Sequence, residues 1–236
     1  MLSCLVGSEM CIRDRPNLST AALMGLTLWM VALGAGLRWR SLLGTALAGS
    51  LLGTASILIN EYQRIRVVSF LDPWNDPMGD GYQLVQSLLA IGSGGWMGQG
   101  YGLSTQKLQY LPIQSTDFIY AVFAEEFGFV GSVLLLLFLM LVAWVGLRVA
   151  LRCRSNQARL VAIGCTTILV GQSILNIAVA SGVMPTTGLP LPLISYGGNS
   201  LMSSLVILGL LIRCSLESTG LIGGRSNGRQ RSLRQR

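Results

Sequence analysis

Long apolar blocks separated by short polar segments run along most of the chain. A membrane-spanning helix needs about 20 mostly apolar residues, and five blocks meet or approach that length. They lie at about residues 18–37, 41–60, 118–147, 160–184 and 194–212. The last is long enough only if ISYGGNS, residues 194–200, also lies at membrane depth, where its polar backbone must face protein or a water-filled cavity. The pattern predicts an all-α, multi-pass membrane protein with five transmembrane helices.

The composition supports a membrane protein and excludes several kinds of site. Of the 236 residues, 51% are hydrophobic and 11% are charged, which is too few charges for the surface of a soluble domain of this size. The chain has no histidine, and its five cysteines form no CxxC pair. Imidazole chemistry and most zinc sites are therefore excluded.

The arginines are unevenly divided between the two sides that five spans define. One side receives Arg38, Arg40, Arg148, Arg152, Arg154, Arg159 and the tail from Arg213 to Arg236. By the positive-inside rule that side is cytoplasmic, which predicts a cytoplasmic C-terminus. Residues 219–236 are interpreted as a disordered basic tail near anionic lipid rather than a segment that binds nucleic acid.

The first residues do not fit this topology. Residues 1–15, MLSCLVGSEMCIRDR, would place Arg13 and Arg15 on the outer side. The segment resembles translated adapter sequence, and its apolar stretch is too short and broken for a signal peptide. We interpret it as extraneous to a membrane domain of residues 16–218, and the chain as a fragment without its natural beginning.

A long segment on the outer side, residues 61–117, separates the second and third spans. Loops of this length in a compact protein usually carry function. Tyr82, Val85, Leu88 and Leu89 recur at helical spacing, which predicts a short amphipathic helix at the membrane surface. The glycine-rich GSGGWMGQGYG that follows has neither a P-loop nor a dinucleotide signature. It indicates either a flexible turn or close approach of the backbone to a ligand.

Three carboxylates stand at the start of the third span, in STDFIYAVFAEEFGFVG, residues 115–131. Asp117 is at the outer edge, where it is either a functional carboxylate or a first-turn partner of the helix dipole, with Ser115 or Thr116 as the cap. Glu125 and Glu126 are predicted to face the interior of the bundle and to bond other helices. An acid within a span is costly enough to be a functional candidate by default.

Two separate sets of uncharged polar groups follow, one within the fourth span and a second constellation after it. Gln172 and Asn176 are one helical turn apart, so their shared face is predicted to turn towards other helices. In MPTTGLPLPLISYGGNS, residues 184–200, three prolines prevent a continuous helix. This segment is either a kinked connector or one wall of an outward-facing groove beside Asp117.

Three segments together resemble the shape, elongation, division and sporulation (SEDS) family. They are DPMGDGYQLVQSLLAIGSGGWMGQGYGLSTQKLQYLP, STDFIYAVFAEEFGFVG and TGLPLPLISYGG, in the order and spacing of the family. The residues in these segments are most similar to those of division-type members, and of cyanobacterial ones in particular. The resemblance implies a ten-span fold of which this chain holds the C-terminal half.

The resemblance also implies a function. Family members polymerise lipid II into glycan strands at the outer face of the cytoplasmic membrane, together with a class B penicillin-binding transpeptidase of the FtsI type and other division proteins. The essential loop aspartate of the family maps onto Asp117. Two rival functions stay open: a flippase for lipid II, and a non-catalytic scaffold that activates the transpeptidase.

The implied chemistry suits one carboxylate. The leaving group, undecaprenyl pyrophosphate, is a stable anion, so only a base for the attacking sugar hydroxyl is needed, and Asp117 is the candidate. Positive charge for the pyrophosphate would come first from Mg²⁺ or Mn²⁺, with Asp117 as a candidate ligand, and no organic cofactor is expected. The further candidates for substrate contact are Arg64, Arg66, Lys107, Gln109, Thr116, Ser195, Tyr196, Gly197 and Gly198. Glu125, Glu126, Pro190 and Pro192 are expected to support the structure.

One departure from the family limits what is carried over. Relatives often have glutamate and histidine in the block before the aspartate, where this chain has Gln109, Ile113 and Gln114. No role is therefore assigned to a loop glutamate.

Overall fold

The computed structural model describes residues 18–77, 79, 81–102, 117–153 and 155–219. Every regular element in these residues is a helix, which confirms the predicted all-α class. The seven helices are α1 (Leu18–Gly34), α2 (Trp39–Ile59), α3 (Glu61–Leu71), α4 (Tyr82–Ser93), α5 (Ile119–Arg152), α6 (Asn156–Ala180) and α7 (Gly198–Ser218). The proposed extraneous segment 1–15 and nearly all of the basic tail lie outside the described residues.

Four helices in the described part of the chain, α2, α5, α6 and α7, are long and apolar enough to cross a membrane. Helix α1 has 17 residues and ends before the predicted position 37. Gly36 has φ of +80°, and the N–H of Leu37 bonds the carbonyl of Ala32 at 3.2 Å. This is the hydrogen bond of a glycine C-cap, which stops the helix. Five spans therefore stay a prediction.

The prediction for the last span was wrong in its bounds. Helix α7 begins at Gly198 rather than 194, and it reaches 21 residues by continuing past 212 to Ser218. The segment before it forms a turn instead, in which Leu191 and Ser195 bond each other twice. Gly197 is extended, with φ of −161° and ψ of 113°, so the helix begins only after it.

The described residues of the outer segment form two helices, whereas the sequence predicted one. The predicted helix, α4, buries Leu84, Val85 and Ala90, and Ser87 Oγ donates a 2.7 Å hydrogen bond to the carbonyl of Ala180. Helix α4 thus packs against the bundle. The unpredicted helix is α3, whose sequence EYQRIRVVSFL has no clear apolar stripe.

Helix α6 is at the centre of the bundle and contacts α1, α5 and α7. Small side chains let its neighbours approach closely, as is typical of membrane helices. One buried cluster includes Phe118, Tyr120, Ala124, Ile177 and Ala180. A second, at the other end of α6, includes Val149, Ala150, Ala158, Ala162, Leu211 and Cys214.

Most of the described arginines lie at one end of the bundle, whereas Arg64 and Arg66 lie on α3. Arg159 donates to the carbonyl of Gly34 at 3.2 Å, and Ser155 bonds Glu217 at 3.1 Å. The C-terminal ends of α1 and α7 therefore meet the beginning of α6 there. Asp117 lies at the opposite end of α6, as the predicted topology requires. Which end faces the cytoplasm stays a prediction.

Candidate functional site

Asp117 is partly buried and lies just before α5. Phe118, which is 4% exposed, occupies the position that caps the helix and makes no side-chain capping bond. No acid lies in the first turn of α5. Asp117 is therefore not the first-turn dipole partner that the sequence offered as an alternative.

Asn176, on α6, joins Asp117 to the proline-rich segment. Its Nδ2 atom donates to the carbonyl of Asp117 and to the carbonyl of Leu189, both at 2.7 Å. One turn earlier, Gln172 donates to the carbonyl of Pro190 at 2.8 Å. The predicted polar face of α6 does turn inward, and it bonds the segment 184–197 and the residue before α5.

Side chains satisfy the carbonyls of the segment 184–197 because it forms no regular structure. The guanidinium of Arg66, on α3, donates to the carbonyl of Thr186 at 2.8 Å. Leu191 N donates to Ser195 Oγ at 2.8 Å, and Ser195 N donates back to the carbonyl of Leu191. Helices α3 and α6 thus hold this segment in place beside Asp117.

Gly188 lies opposite the Asp117 carboxylate. It is exposed, has φ of +70°, and a β-carbon built on it would be in ordinary contact with Oδ2 of Asp117. That backbone conformation is readily adopted by glycine and is costly for other residues. The sequence motif TGLPLP is therefore built around a glycine that faces the carboxylate.

Glu125 and Glu126 are buried, at 0% and 6% exposure, as predicted for supporting residues. They lie just before a break in α5 at Gly128, which has φ of 66° and ψ of −163°. In an uninterrupted helix, the N–H groups of Phe129 and Val130 would bond the carbonyls of these two glutamates. Here all four groups bond the glycine-rich segment 92–102 instead.

The exchange of hydrogen bonds is reciprocal. The carbonyls of Glu125 and Glu126 accept from Gln99 and Gly100, at 3.0 and 3.1 Å. The N–H groups of Phe129 and Val130 donate to the carbonyls of residues 95 and 96, at 2.9 and 3.2 Å. The glycines therefore allow the backbone of the segment 92–102 to approach the backbone of α5 closely. The sequence suggested such an approach to a ligand, whereas the partner here is a helix of the same chain.

The other predicted site residues are more dispersed. Arg64 is exposed, forms a 3.9 Å ion pair with Glu61 and borders a cleft of about 330 Å³ together with Asp72 and Asp76. Tyr196 is 84% exposed, and Gly197 and Gly198 form the start of α7. Pro192 is buried in the turn before α7, and Pro190 is partly buried. Lys107, Gln109 and Thr116 lie outside the described residues.

No group of three or more carboxylates or cysteines that could hold a metal ion occurs in the part of the chain that the structure describes. Asp117 offers one carboxylate. Mg²⁺ is commonly held by one or two carboxylates, with phosphate and water as its remaining ligands. The described residues therefore fit a cation that arrives with a phosphorylated substrate better than a resident metal centre.

Sequence reasoning did not include Asn176 and Gly188 among the site residues. The signal for Asn176 was present, since a buried amide in an apolar span needs a partner. The position of Gly188 opposite Asp117 depends on tertiary structure, because 70 residues of chain separate the two.

Comparison with known proteins gives consistent matches. The family model for FtsW, RodA and SpoVE, described as cell cycle protein, matches residues 2–220. The chain is 62% identical over 204 residues to the "Probable peptidoglycan glycosyltransferase FtsW" of Synechocystis sp., covering 86% of this chain and 52% of that protein. It is 39% identical to the stage V sporulation protein E of Bacillus subtilis, covering 91% of this chain and 58% of that protein.

Solved structures agree with the sequence matches. A peptidoglycan synthase complex that coordinates polymerization and crosslinking contains a chain with a TM-score of 0.66 and 35% identity, covering 84% of this chain and 54% of that one. A mutant of the rod shape determining protein RodA from Thermus thermophilus gives a TM-score of 0.54 and 31% identity, covering 86% of this chain and 50% of that one. The chain thus spans about half the length of the curated relatives it matches. The predicted resemblance to the SEDS family, and to cyanobacterial division members, is confirmed.

Proposed function

Since the chain belongs to the FtsW, RodA and SpoVE family of cell cycle proteins, we propose that it forms part of a peptidoglycan glycosyltransferase that polymerises lipid II during cell division. The observation that carries the proposal is the pair of hydrogen bonds from Asn176 that ties Asp117 to Leu189, next to Gly188, at the end of α6 opposite Arg159. This places a carboxylate beside a polar, irregular segment that a substrate can approach. The other half of the site would come from the rest of a full-length protein.

Asp117 acts as the general base in the proposed mechanism. A sugar hydroxyl of one lipid II molecule attacks the anomeric carbon of another, and Asp117 takes the hydroxyl proton as the new glycosidic bond forms. The bond from the anomeric carbon to phosphate breaks, and undecaprenyl pyrophosphate leaves with the electron pair. A pyrophosphate is stable as an anion, so no acid is needed to protonate it.

Arg66 is the proposed source of fixed positive charge. Its guanidinium donates to the carbonyl of Thr186, two residues from Gly188. A cation from α3 therefore contacts the segment that borders the space beside Asp117. Fixed charge that faces a developing anion stabilises the transition state. Mg²⁺ or Mn²⁺, bound by the pyrophosphate and the Asp117 carboxylate, would add to this charge.

The proposed location is the cytoplasmic membrane, with the arginine-rich end of the bundle and the C-terminus inside. Asp117 would then face the outer side, where lipid II is polymerised. A class B penicillin-binding transpeptidase is the proposed partner, together with other division proteins. The similarity to a chain of a peptidoglycan synthase complex supports this partner.

The experiment requires a full-length protein, because the chain spans half of its relatives. We would join this chain to the half of the Synechocystis FtsW that it does not cover and supply purified lipid II. The chimaera is expected to produce a ladder of glycan strands, and Asp117→Asn is expected to reduce the rate by about 100- to 10,000-fold, the usual contribution of a general base.

The same experiment separates the rival functions. Equal ladders from both proteins would remove Asp117 from the mechanism. Movement of lipid II across a vesicle membrane without polymer would support a flippase. Activation of a transpeptidase by Asp117→Asn as well as by the parent, again without polymer, would support a scaffold.

A further inference from the structure

The side chain of Asn176 is the most completely buried amide in the described part of the site. It is 1% exposed and lies in a helix long and apolar enough to cross a membrane. Burying an amide without hydrogen bonds costs several kcal/mol on apolar transfer scales, so its contacts should account for its presence.

Both hydrogen atoms of the Asn176 amide nitrogen have partners. They go to the carbonyls of Asp117 and Leu189, each at 2.7 Å. Both partners can only accept, so the nitrogen and not the oxygen must face them. The opposite atom, Oδ1, is buried and accepts no hydrogen bond within the described residues. The two donors of this amide are therefore satisfied within the described residues, and its acceptor is not.

The two bonded carbonyls belong to the two segments that meet at the site. Asp117 carries the carboxylate, and Leu189 follows Gly188, which lies opposite that carboxylate. A single NH₂ group thus fixes the backbone on both sides of the space between them. We propose that Asn176 is a positioning residue that holds Asp117 in register with the Gly188 segment, and this inference rests on the proposed function.

The physical consequence is a loss of rate in the folded protein, in addition to any loss of stability from the two unpaired carbonyls. A displacement of about 1 Å in a reacting group can reduce a rate by about 100-fold. Leucine has the same branched heavy-atom skeleton as asparagine, with bulkier methyl groups and no donor. Asn176→Leu would therefore occupy the space while releasing both carbonyls. Asn176→Ser would keep one donor on a shorter side chain and should fall between the parent and Asn176→Leu.

Gln172 offers a matched control. It lies one turn earlier on α6 and donates one bond to the carbonyl of Pro190, but it does not contact Asp117. Gln172→Leu therefore removes an anchor of the same segment without touching the residue that carries the carboxylate.

In the chimaera, Asn176→Leu is expected to lower kcat on lipid II by about 100-fold with KM changed by less than about threefold. Gln172→Leu should lower kcat by less than about tenfold. Melting temperatures of both variants are measured in parallel. The inference would be overturned if Asn176→Leu lost no more kcat than Gln172→Leu at a similar melting temperature. It would also be overturned if Asn176→Leu changed only KM. If Asn176→Leu does not fold, the same comparison is made with Asn176→Ser.

A second measurement does not depend on catalysis. Asp117→Cys and Gly188→Cys are combined in this chain after its native cysteines are changed to serine, and a short thiol-specific cross-linker is added in membranes. A displacement of about 1 Å between the two cysteines should make cross-linking at least about fivefold slower with Asn176→Leu. With Gln172→Leu the cross-linking rate should stay within about twofold of that of the parent. Equal cross-linking rates in the parent, Asn176→Leu and Gln172→Leu would reject the positioning role. If the parent chimaera makes no polymer but the cross-linking rates differ as expected, only the proposed function is rejected.

Discussion

A β-carbon built on Gly188 would lie 3.6 Å from Oδ2 of Asp117, and among the described residues no other atom except those of its chain neighbours comes within 4 Å of that position. Within the described part of the chain, the space beside this part of the Gly188 backbone is therefore bordered by the carboxylate alone. In the proposed mechanism, this space is where the attacking sugar hydroxyl approaches its base.

Adding a methyl group there should reduce activity more than stability. Gly188→Ala places a carbon in ordinary contact with the carboxylate, so the protein should still fold. The φ of +70° costs a side chain about 1–2 kcal/mol. We expect the rate of polymerisation by the chimaera to fall by at least about tenfold, since the methyl group would compete with the sugar for the space.

Gly182 provides the control for that substitution. Its φ is +69°, and a β-carbon there would meet Leu88 at 3.3 Å rather than Asp117. Gly182→Ala should therefore cost at least as much stability as Gly188→Ala and leave the polymerisation rate nearly unchanged. Equal rates for the two variants would show that the space beside Asp117 is not used.

Arg66 and Arg64 lie on the same helix but should respond differently to substitution by alanine. Arg66 donates to the carbonyl of Thr186, and a hydrogen bond from a charged group contributes about 1.5–3 kcal/mol. Arg64 forms an exposed ion pair at 3.9 Å, which contributes less than about 1 kcal/mol. Thermal unfolding should show a clear loss for Arg66→Ala and little for Arg64→Ala. Similar losses would contradict the assigned role of Arg66 in holding the segment.

Cys153, at the arginine-rich end, should react slowly with alkylating agents at neutral pH. Burial raises the pKa of the Cys153 thiol above its ordinary value of 9.0, and the negative charges of Cys214 and Glu217 raise this pKa further. The thiolate is the reactive species, so alkylation followed by peptide mass spectrometry should keep accelerating above pH 9. The Glu217→Gln variant should react faster at each pH, and an unchanged rate would remove the carboxylate from this explanation.

The same raised pKa sets the sign of a stability effect. The folded state keeps the Cys153 proton at pH values where the unfolded chain has lost it. The unfolded state therefore binds fewer protons, and stability falls as the pH rises through and above 9. The contribution is fully present below that range, so stability measured at pH 7 should exceed stability measured at pH 10, and Cys153→Ser should reduce the difference.

The sequence was sufficient for the long apolar helices but not for the elements that join them. Apolar blocks predicted α5 and α6 because a span needs a minimum apolar length. The polar pair Gln172 and Asn176 predicted an inward face for α6. Helix α3 was missed, since it lacks an apolar stripe and is held by tertiary contacts such as that from Arg66 to Thr186. The predicted start of α7 was displaced because the chain forms a turn at Leu191 before the helix begins.

The break at Gly128 was the feature least accessible to sequence reasoning, and it leads to a prediction about Gly98. Sequence periodicity predicts one continuous helix, whereas four backbone groups of α5 bond the segment 92–102 instead of each other. Gly98 has φ of +80°, and a β-carbon on it would overlap the carbonyl of Glu126. Gly98→Ala should therefore destabilise the chain by at least about 2 kcal/mol, the combined cost of the backbone conformation and the overlap.

Gly92 is the matched control, since it lies in α4 and a β-carbon there would meet nothing within 4 Å. Gly92→Ala should be neutral or stabilising by up to about 1 kcal/mol, because alanine favours a helix over glycine. Thermal unfolding of both variants in detergent separates the two cases. If Gly98→Ala were as stable as Gly92→Ala, the glycine-rich segment would not be docked on α5. The break in α5 at Gly128 would then need a cause other than the hydrogen bonds between the segment 92–102 and the carbonyls of Glu125 and Glu126.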